Sequence, residues 1–223
     1  MSRTFGASEF FFIVAAVRWT LLLSLVAIIG GALVGIVVAI LRTMRNPVPR
    51  LLAVGYIQLF QGTPVLMQLF VFYYGVAAVA GLEVDAWPAV TLAFTLYSGA
   101  FLGEIWRGSI EAIPRAQWDA AACLSLSYFQ TLCYVILPQA MRIAIPPTVG
   151  FLVQLIKSTS IASIIGFVEL ARAGQLMVNV TFQPMIIYPV VAALYFAVCW
   201  PLSATSRALE RRIDANRGTT RRL

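Results

Sequence analysis

Apolar residues form long runs along this chain, and polar residues are concentrated in the segments between the runs. The first run, residues 19–41, lies between Arg18 and Arg42. At about 1.5 Å per residue, a helix of this length crosses a hydrocarbon core of about 30 Å. Four further runs lie at about 54–82, 86–106, 146–168 and 185–205. This pattern predicts an all-α membrane protein with five transmembrane helices.

Polar residues interrupt two of these runs. In the second run, Gln61 and Thr63 stand beside Gly62 and Pro64, and the fourth run contains the sequence Lys157-Ser158-Thr159-Ser160. A helix break at membrane depth persists only against protein or water. A lysine near the centre of a span costs about 2.5–3.5 kcal/mol on insertion scales and usually faces the bundle interior or an aqueous path. We therefore predict a path for a polar solute, bordered by Gln61, Thr63, Lys157, Ser158, Thr159 and Ser160.

A purely structural interpretation of the second interruption stays open. Lys157 can hold two helices together by pairing with a backbone carbonyl. The three hydroxyl groups that follow it can bond back to the preceding helical turn instead of facing a solute.

The composition excludes several kinds of site. Hydrophobic residues make up 61% of the chain and charged residues 11%, whereas about a quarter of residues are charged in soluble domains. Histidine is absent, and Cys123, Cys133 and Cys199 show no paired spacing. We therefore expect no metal site, no catalytic residues and no cofactor bound by this chain. A membrane-embedded enzyme, which needs converging acids or nucleophiles, is disfavoured for the same reason.

The positions of the sixteen basic residues predict the orientation in the membrane. Three of them, Arg3, Arg18 and Arg172, fall on one side, and Lys157 lies within a span. The other side receives twelve: Arg42, Arg45, Arg50, Arg107, Arg115, Arg142, Arg207, Arg211, Arg212, Arg217, Arg221 and Arg222. Because cytoplasmic loops collect Lys and Arg, the N-terminus is predicted outside and the C-terminus in the cytoplasm.

This distribution also explains the net charge of +7. We expect the charge to face the lipid bilayer and predict no nucleic-acid partner. Residues 1–14 are then an extracytoplasmic segment. Residues 214–223 are a basic cytoplasmic tail, expected to lie against anionic headgroups, with partner binding as the alternative.

Small residues recur every fourth position in two of the spans. The first has Ala27, Gly31, Gly35 and Ala39, and the third has Thr95, Gly99 and Gly103. Such ridges let helices approach closely. We expect them to pack within the chain, and a face shared with a second subunit is the alternative.

The longest segment of mixed composition, residues 108–141, is predicted to be a cytoplasmic loop. Pro114 suits the first turn of a helix. Ala116, Ala120, Cys123 and Leu124 would share one face of it, while Arg115 and Asp119 are spaced to form an ion pair. Such a helix lies on the membrane surface or docks a cytoplasmic partner, and periodicity alone does not separate the two.

The same loop carries a signature. Asp119-Ala120-Ala121, Ser125 and Val135-Ile136-Leu137-Pro138 resemble the E-A-A-x3-G-x9-I-x-L-P pattern through which permease subunits of ABC importers engage their ATPase. Asp119 replaces Glu, and Ser125 replaces the central Gly. The resemblance implies a set of coupling residues: Arg115, Trp118, Asp119, Ala120, Ala121, Leu124, Ser125 and Pro138.

Four segments, 61–64, 68–70, 103–108 and 155–163, resemble one branch of these permeases, the polar amino-acid permeases of the histidine/glutamine/glutamate type. The resemblance covers roughly residues 15–213 and implies a type I ABC importer transmembrane domain in the bacterial inner membrane. It implies as partners two ATPase subunits that bind ATP and Mg²⁺, a second permease subunit, identical or homologous, and an extracytoplasmic solute-binding protein. Ser158 stands where members commonly have Asp or Asn, so an arginine-like substrate is not expected.

The chain has no G-x4-G-K-[ST] phosphate-binding sequence. We therefore expect ATP hydrolysis on a separate subunit. A stand-alone secondary transporter or channel is the alternative function. Such transporters often have repeated halves with paired broken helices, and five spans do not divide evenly.

Overall fold

Helices make up nearly all of the described chain. The computed structural model describes residues 4–44, 46–81 and 85–220. In the first half the helices are α1 (Ala7–Thr43), α2 (Pro47–Gly62), α3 (Val65–Phe70), α4 (Val76–Ala80) and α5 (Ala86–Glu111), with a π-helical turn at Val71–Gly75. In the second half they are α6 (Arg115–Cys123), α7 (Tyr128–Gln130), α8 (Leu137–Ser158), α9 (Leu170–Thr181) and α10 (Pro184–Thr220), with a π-helical turn at Thr131–Ile136 and a 3-10 segment at Thr159–Ile165.

The described helices fit the predicted five spans. Four stretches are long and apolar enough to cross a membrane alone: Ala7–Thr43, Ala86–Glu111, Tyr128–Ile165 and Pro184–Arg211. The pair Pro47–Gly62 and Val65–Val79 passes the same test together, although its two halves meet at 103°. Counted as one broken span, this pair brings the number to five.

Parts of the sequence predictions lie outside the described residues. They include four of the basic residues that were assigned to a side: Arg3, Arg45, Arg221 and Arg222. Residue 82, the predicted end of the second span, is another. The ends of the predicted segments 1–14 and 214–223 also fall there.

The first span starts earlier than predicted. α1 begins at Ala7 and runs straight through Arg18, so most of the predicted segment 1–14 is helical. Its start is capped, because Glu9 Oε2 accepts a hydrogen bond from the Gly6 N–H at 3.1 Å. The apolar residues after Glu9 continue the helix, and the Arg18 guanidinium lies 5.3 Å from the centroid of the Trp19 ring. One charged residue that packs on an aromatic ring does not end a helix.

The loop between the third and fourth spans is shorter than the predicted cytoplasmic segment 108–141. α5 continues to Glu111, and the next stretch long enough to cross a membrane begins at Tyr128. Pro146 and Pro147, taken as the start of the fourth span, lie inside α8 instead. Prolines are tolerated inside membrane helices where neighbouring helices stabilise the segment around them. The Ser206 hydroxyl of α10 donates to the Pro146 carbonyl at 3.0 Å.

Other helix ends also differ from the predicted ends of the spans. The third span extends from the predicted residue 106 to Glu111. The fifth, predicted at 185–205, continues as one helix to Thr220 and includes the described part of the tail. α9 was not predicted, because at 12 residues it is too short to form a span and lies between two long apolar runs.

The core is centred on α5, which packs against α1, α2, α3 and α8. Buried side chains from these five helices meet there, including Leu23, Phe60, Leu69, Phe94 and Leu155. A second cluster joins the start of α1 to α9 and α10 through Ile13, Leu170 and Ile187. α5 is the most buried span and α10 the least.

The two ridges of small residues pack against each other. A methyl group at Gly31 would lie 2.4 Å from Ser98 Cβ, and one at Gly99 would lie 2.5 Å from Val34 Cγ1. Real Cβ atoms do not approach so closely, so α1 and α5 meet because these positions lack side chains. The interpretation of the ridges as packing within the chain is confirmed.

Gly31→Ala is expected to destabilise the chain by about 1–3 kcal/mol, because the added methyl overpacks the contact with Ser98. The matched control is Gly55→Ala, since a Cβ at Gly55 meets nothing within 4 Å. Both changes raise helix propensity equally. Thermal unfolding of the detergent-purified chain distinguishes them. Equal midpoints for the two variants would show that the α1–α5 contact has room to relax.

Candidate functional site

The predicted break in the second span lies at Thr63 and Pro64. α2 ends at Gly62, and Gln68 of α3 ties the two halves together. Its Nε2 donates to the Phe60 carbonyl at 2.8 Å and to Thr63 Oγ1 at 2.9 Å. The first bond satisfies the Phe60 carbonyl, which lacks its helical donor because Pro64 has no N–H. The bend is therefore held by a defined hydrogen-bond network.

The polar side chains at this break are exposed. Gln61 Nε2 donates to the Ala100 carbonyl at 3.3 Å, and Thr63 Oγ1 donates to the Leu59 carbonyl at 2.7 Å. Both residues keep an open side. They can offer hydrogen bonds to a solute or to another subunit.

Lys157 stands at the end of α8 beside an open cavity of about 570 Å³. The cavity lies between α8 and α10, in the part of the chain predicted to span the membrane. Its wall is formed by Lys157, Ser160, Ala192, Tyr195, Phe196, Cys199, Trp200, Ser203 and Arg207. Two cations, three hydroxyl groups and three aromatic rings border one space. Such a wall fits a small solute that carries a negative group and polar atoms.

The three hydroxyl groups after Lys157 all bond back to the preceding turn. Ser158 donates to the Gln154 carbonyl at 3.0 Å, Thr159 to that of Ile156 at 2.7 Å, and Ser160 to that of Lys157 at 2.7 Å. α8 gives way to the 3-10 segment at this point. The interpretation that these hydroxyl groups donate to the preceding helical turn is confirmed. Their oxygens can still accept hydrogen bonds.

The structure brings only some of the predicted path residues together. α3, which follows the first interruption, packs on the 3-10 segment that contains Thr159 and Ser160. Among the described residues, the cavity wall includes Lys157 and Ser160 of the six predicted ones. Thr159 is fully buried. Its hydroxyl interacts instead with the phenol of Tyr195, which does line the cavity.

A larger groove of about 1180 Å³ lies between the ends of α1, α5 and α8. Its lining is almost wholly apolar, and most of its polar side chains bond to other protein groups. Trp106 Nε1, for example, donates to Thr148 Oγ1 at 3.2 Å. A polar solute would find few free partners there, so this groove is the weaker candidate.

The predicted coupling residues lie on and around α6. Ala116, Ala120, Cys123 and Leu124, the four residues predicted to share one face, are all exposed, Leu124 by 76%. Asp119, Arg115, Ser125 and Pro138 are exposed as well. Ala121 is buried, and Trp118 packs inward with Ile113 and Ile136. α6 thus attaches by one side and leaves an apolar face uncovered.

Two details of this loop bear on the sequence predictions. Ser125 has a φ of 56°, the left-handed region that favours the glycine of the signature pattern. The predicted ion pair of Arg115 with Asp119 does not form. In the part of the chain that the structure describes, the ion pairs join Glu104 to Arg42 and Arg107, and Arg107 to Glu111.

Sequence reasoning missed a buried cluster around Glu169. This carboxylate is fully buried and accepts hydrogen bonds from the Ala171 N–H, the Arg172 N–H and the Tyr195 hydroxyl. Burial raises the pKa of the Glu169 carboxyl, and these bonds oppose the shift because they favour the ionised form. A single acidic residue in the apolar stretch before α9 was the available signal.

The chain is similar to known transport proteins along most of its length. Residues 31–215 match the family model described as "Binding-protein-dependent transport system inner membrane component". A probable amino-acid ABC transporter permease of Bacillus subtilis is 34% identical over 92% of this chain and 90% of its own length. An L-cystine transport system permease of B. subtilis is 35% identical over 89% and 85%. The glutamine transport system permease of Escherichia coli is 32% identical over 90% and 92%.

Solved structures show the same fold. A chain of an amino acid ABC transporter crystallised with histidines has a TM-score of 0.85 and 30% identity, covering 90% of this chain and 94% of the other. A chain of the MetNI methionine ABC transporter, in an inward-facing conformation, has a TM-score of 0.73 at 16% identity, covering 92% and 99%. The second likeness concerns the fold alone.

Proposed function

Because the chain belongs to the family of inner membrane components of binding-protein-dependent transport systems, we propose that it forms the path by which a polar amino acid enters the cytoplasm. It is a permease subunit of an ABC importer. The observation that carries the substrate proposal is the cavity of about 570 Å³, where Lys157 and Arg207 border the same space. Every amino acid has a carboxylate that such cations can pair with. The named relatives include permeases for glutamine and cystine.

The orientation follows the positive-inside rule, with the N-terminus outside and the C-terminus in the cytoplasm. α6 then lies on the cytoplasmic side, and α9 lies on the other. The proposed location is the inner membrane of a bacterium. The chain would cross this membrane five times.

The partners follow from this placement. The exposed apolar face of α6, formed by Ala116, Ala120, Cys123 and Leu124, would dock an ATPase subunit. Two ATPase subunits would hold ATP and Mg²⁺, and this chain would bind neither. A second permease subunit would complete the path next to the exposed break at Gln61 and Thr63. A solute-binding protein would deliver the amino acid on the outer side.

The packing of α6 suggests how ATP hydrolysis reaches the path. Trp118 of α6 stacks on Tyr128 with ring centroids 5.8 Å apart. Tyr128 begins a continuous helical stretch that ends at Ile165 and contains Lys157. When the ATPase dimer closes and displaces α6, this stretch would move as one rod and carry the cavity wall with it. Repeated closure would open the cavity first to the outside and then to the cytoplasm.

The test is to co-purify the chain with its ATPase and to screen amino-acid-loaded binding proteins, starting with glutamine and cystine, for stimulation of ATP hydrolysis. We expect a stable complex and at least one stimulating pair. Transport by the chain alone in liposomes without ATP would favour a secondary transporter or channel. An ATPase that never associates would overturn the proposal.

A further inference from the structure

Glu169 has more contacts than a helix cap requires. It occupies the N-cap of α9, where Oε2 accepts from the Ala171 N–H at 2.9 Å and Oε1 from the Arg172 N–H at 2.8 Å. A shorter acceptor, such as Asp or Ser, would cap this helix equally well. The side chain is nevertheless a glutamate, and it is fully buried.

The glutamate side chain, which is longer than that of aspartate or serine, also contacts a second helix. Tyr195 of α10 donates its hydroxyl proton to Glu169 Oε2 at 2.7 Å. The same tyrosine lines the cavity together with Lys157 and Ser160. A single carboxylate therefore bonds to the start of α9 and to a residue of the cavity wall.

Two buried threonines bring further elements to this point. Thr20 of α1 accepts a hydrogen bond from the Leu170 N–H at 3.0 Å. Thr159 belongs to the 3-10 segment that follows Lys157 and is fully buried. Both hydroxyl groups interact with the Tyr195 phenol. The cluster thus connects α1, α9, α10 and the 3-10 segment through polar groups in an otherwise apolar region.

α9 is well placed to sense a partner. By the predicted topology it lies on the outer side, where a loaded binding protein arrives. It is followed by Phe182, which has a φ of 56° and is exposed together with Met185. At the other end of α9, Glu169 is the N-cap residue. A displacement of α9 would therefore move Glu169 and alter its hydrogen bond to the Tyr195 hydroxyl on the cavity wall.

We propose that Glu169 is a positioning residue that links α9 to the cavity wall through Tyr195, so that docking of the loaded binding protein on the outer side alters the cavity. This inference rests on the proposed function. It adds a residue that does not touch the solute and acts through its hydrogen bond to Tyr195.

The chain offers a substitution that separates this bond from the helix cap. In Glu169→Asp, the carboxylate is one methylene shorter. It can still cap α9 by accepting from the Arg172 N–H, while the oxygen that Ala171 and Tyr195 share is drawn back from the phenol. In the complex with the ATPase, we expect unchanged basal ATP hydrolysis and a loss of thermal stability no larger than that of Tyr195→Phe, which loses the same buried bond. The maximal hydrolysis rate with the best binding protein of the screen, starting from the glutamine-loaded one, should fall at least threefold. The binding-protein concentration for half-maximal stimulation should not change.

Two further variants complete the test. Tyr195→Phe removes the same bond from the other side, so it should lower the stimulated rate similarly. The Glu169–Tyr195 bond is lost in both single variants and in the double variant. The stimulated rate of the double variant should therefore fall no further than that of either single variant. Glu210→Asp is the matched control, an equal shortening of an exposed acid on α10, and should keep the full stimulated rate.

Several outcomes would overturn the inference. Glu169→Asp and Tyr195→Phe could both keep wild-type stimulation, in which case Glu169 only caps α9. A double variant whose loss is the product of the two single losses would show that the bond is not their common cause. A lower basal rate in Glu169→Asp, or a greater loss of stability than in Tyr195→Phe, would indicate a structural role. Failure of every loaded binding protein to stimulate the wild-type complex would overturn the proposed function itself, before any variant is compared.

Discussion

Replacing Lys157 with methionine is expected to lower amino-acid uptake by roughly tenfold to a hundredfold. Lys157 lies on the wall of the cavity of about 570 Å³ and supplies one of its two cations. A hydrogen bond to a charged group contributes about 1.5–3 kcal/mol, and about 1.4 kcal/mol corresponds to a factor of ten. Methionine keeps an unbranched side chain of similar length and removes only the charge. The measurement is ATP-dependent uptake by proteoliposomes that contain the assembled complex.

Lys157→Arg is the matched variant, since it keeps a positive charge on the cavity wall and should retain more uptake than Lys157→Met. Co-purification of the ATPase with each variant checks that assembly is intact. The half-saturating concentration of the substrate should rise in Lys157→Met. If that variant transports at the wild-type rate with the wild-type concentration dependence, Lys157 holds helices together and the cavity is not the path.

Leu124→Arg is expected to reduce ATPase association at least tenfold. Leu124 is 76% exposed at the end of α6, on the apolar face with Ala116, Ala120 and Cys123. A face of this kind buries its side chains when a partner docks. An arginine placed there without a countercharge costs several kcal/mol on burial. The amount of ATPase that co-purifies with the tagged chain measures the loss, and uptake should fall with it.

The control for this change is Leu124→Met, a swap of similar volume that keeps an apolar contact. Both variants should give the wild-type elution profile as isolated chains in detergent, because Leu124 contributes little to the packing within the chain. Full recovery of the ATPase with Leu124→Arg would place the docking surface elsewhere. Loss of the ATPase with both variants would indicate that α6 itself is disturbed.

The sequence predicted the number of spans and the break at Thr63 and Pro64 because both follow from local composition. It was less successful at helix ends. Arg18 looked like a boundary, but it packs on Trp19 within α1. Pro146 and Pro147 looked like a helix start, but a bond from Ser206 supports the carbonyl of Pro146 inside α8. In each case a contact within the fold outweighs a local signal.

The sequence predicted a polar site that contains Lys157, but it did not predict which other residues line the cavity. Lys157 could be recognised because a lysine in a span is costly wherever it stands. Tyr195, Trp200 and Arg207 could not, since nothing in the sequence of α10 tells which of its faces meets α8. Thr159 was expected near the path and is fully buried.

The sequence by itself determined that the chain is a five-span membrane protein of the ABC permease type. Length and hydropathy fix the spans because the bilayer has a set thickness, and the spacing of the signature needs no knowledge of packing. Only the tertiary structure decided which helix faces meet. The Glu169–Tyr195 bond joins residues 26 positions apart on two different helices. Such contacts depend on how helices rotate and cross, and neither is encoded in the periodicity of one segment.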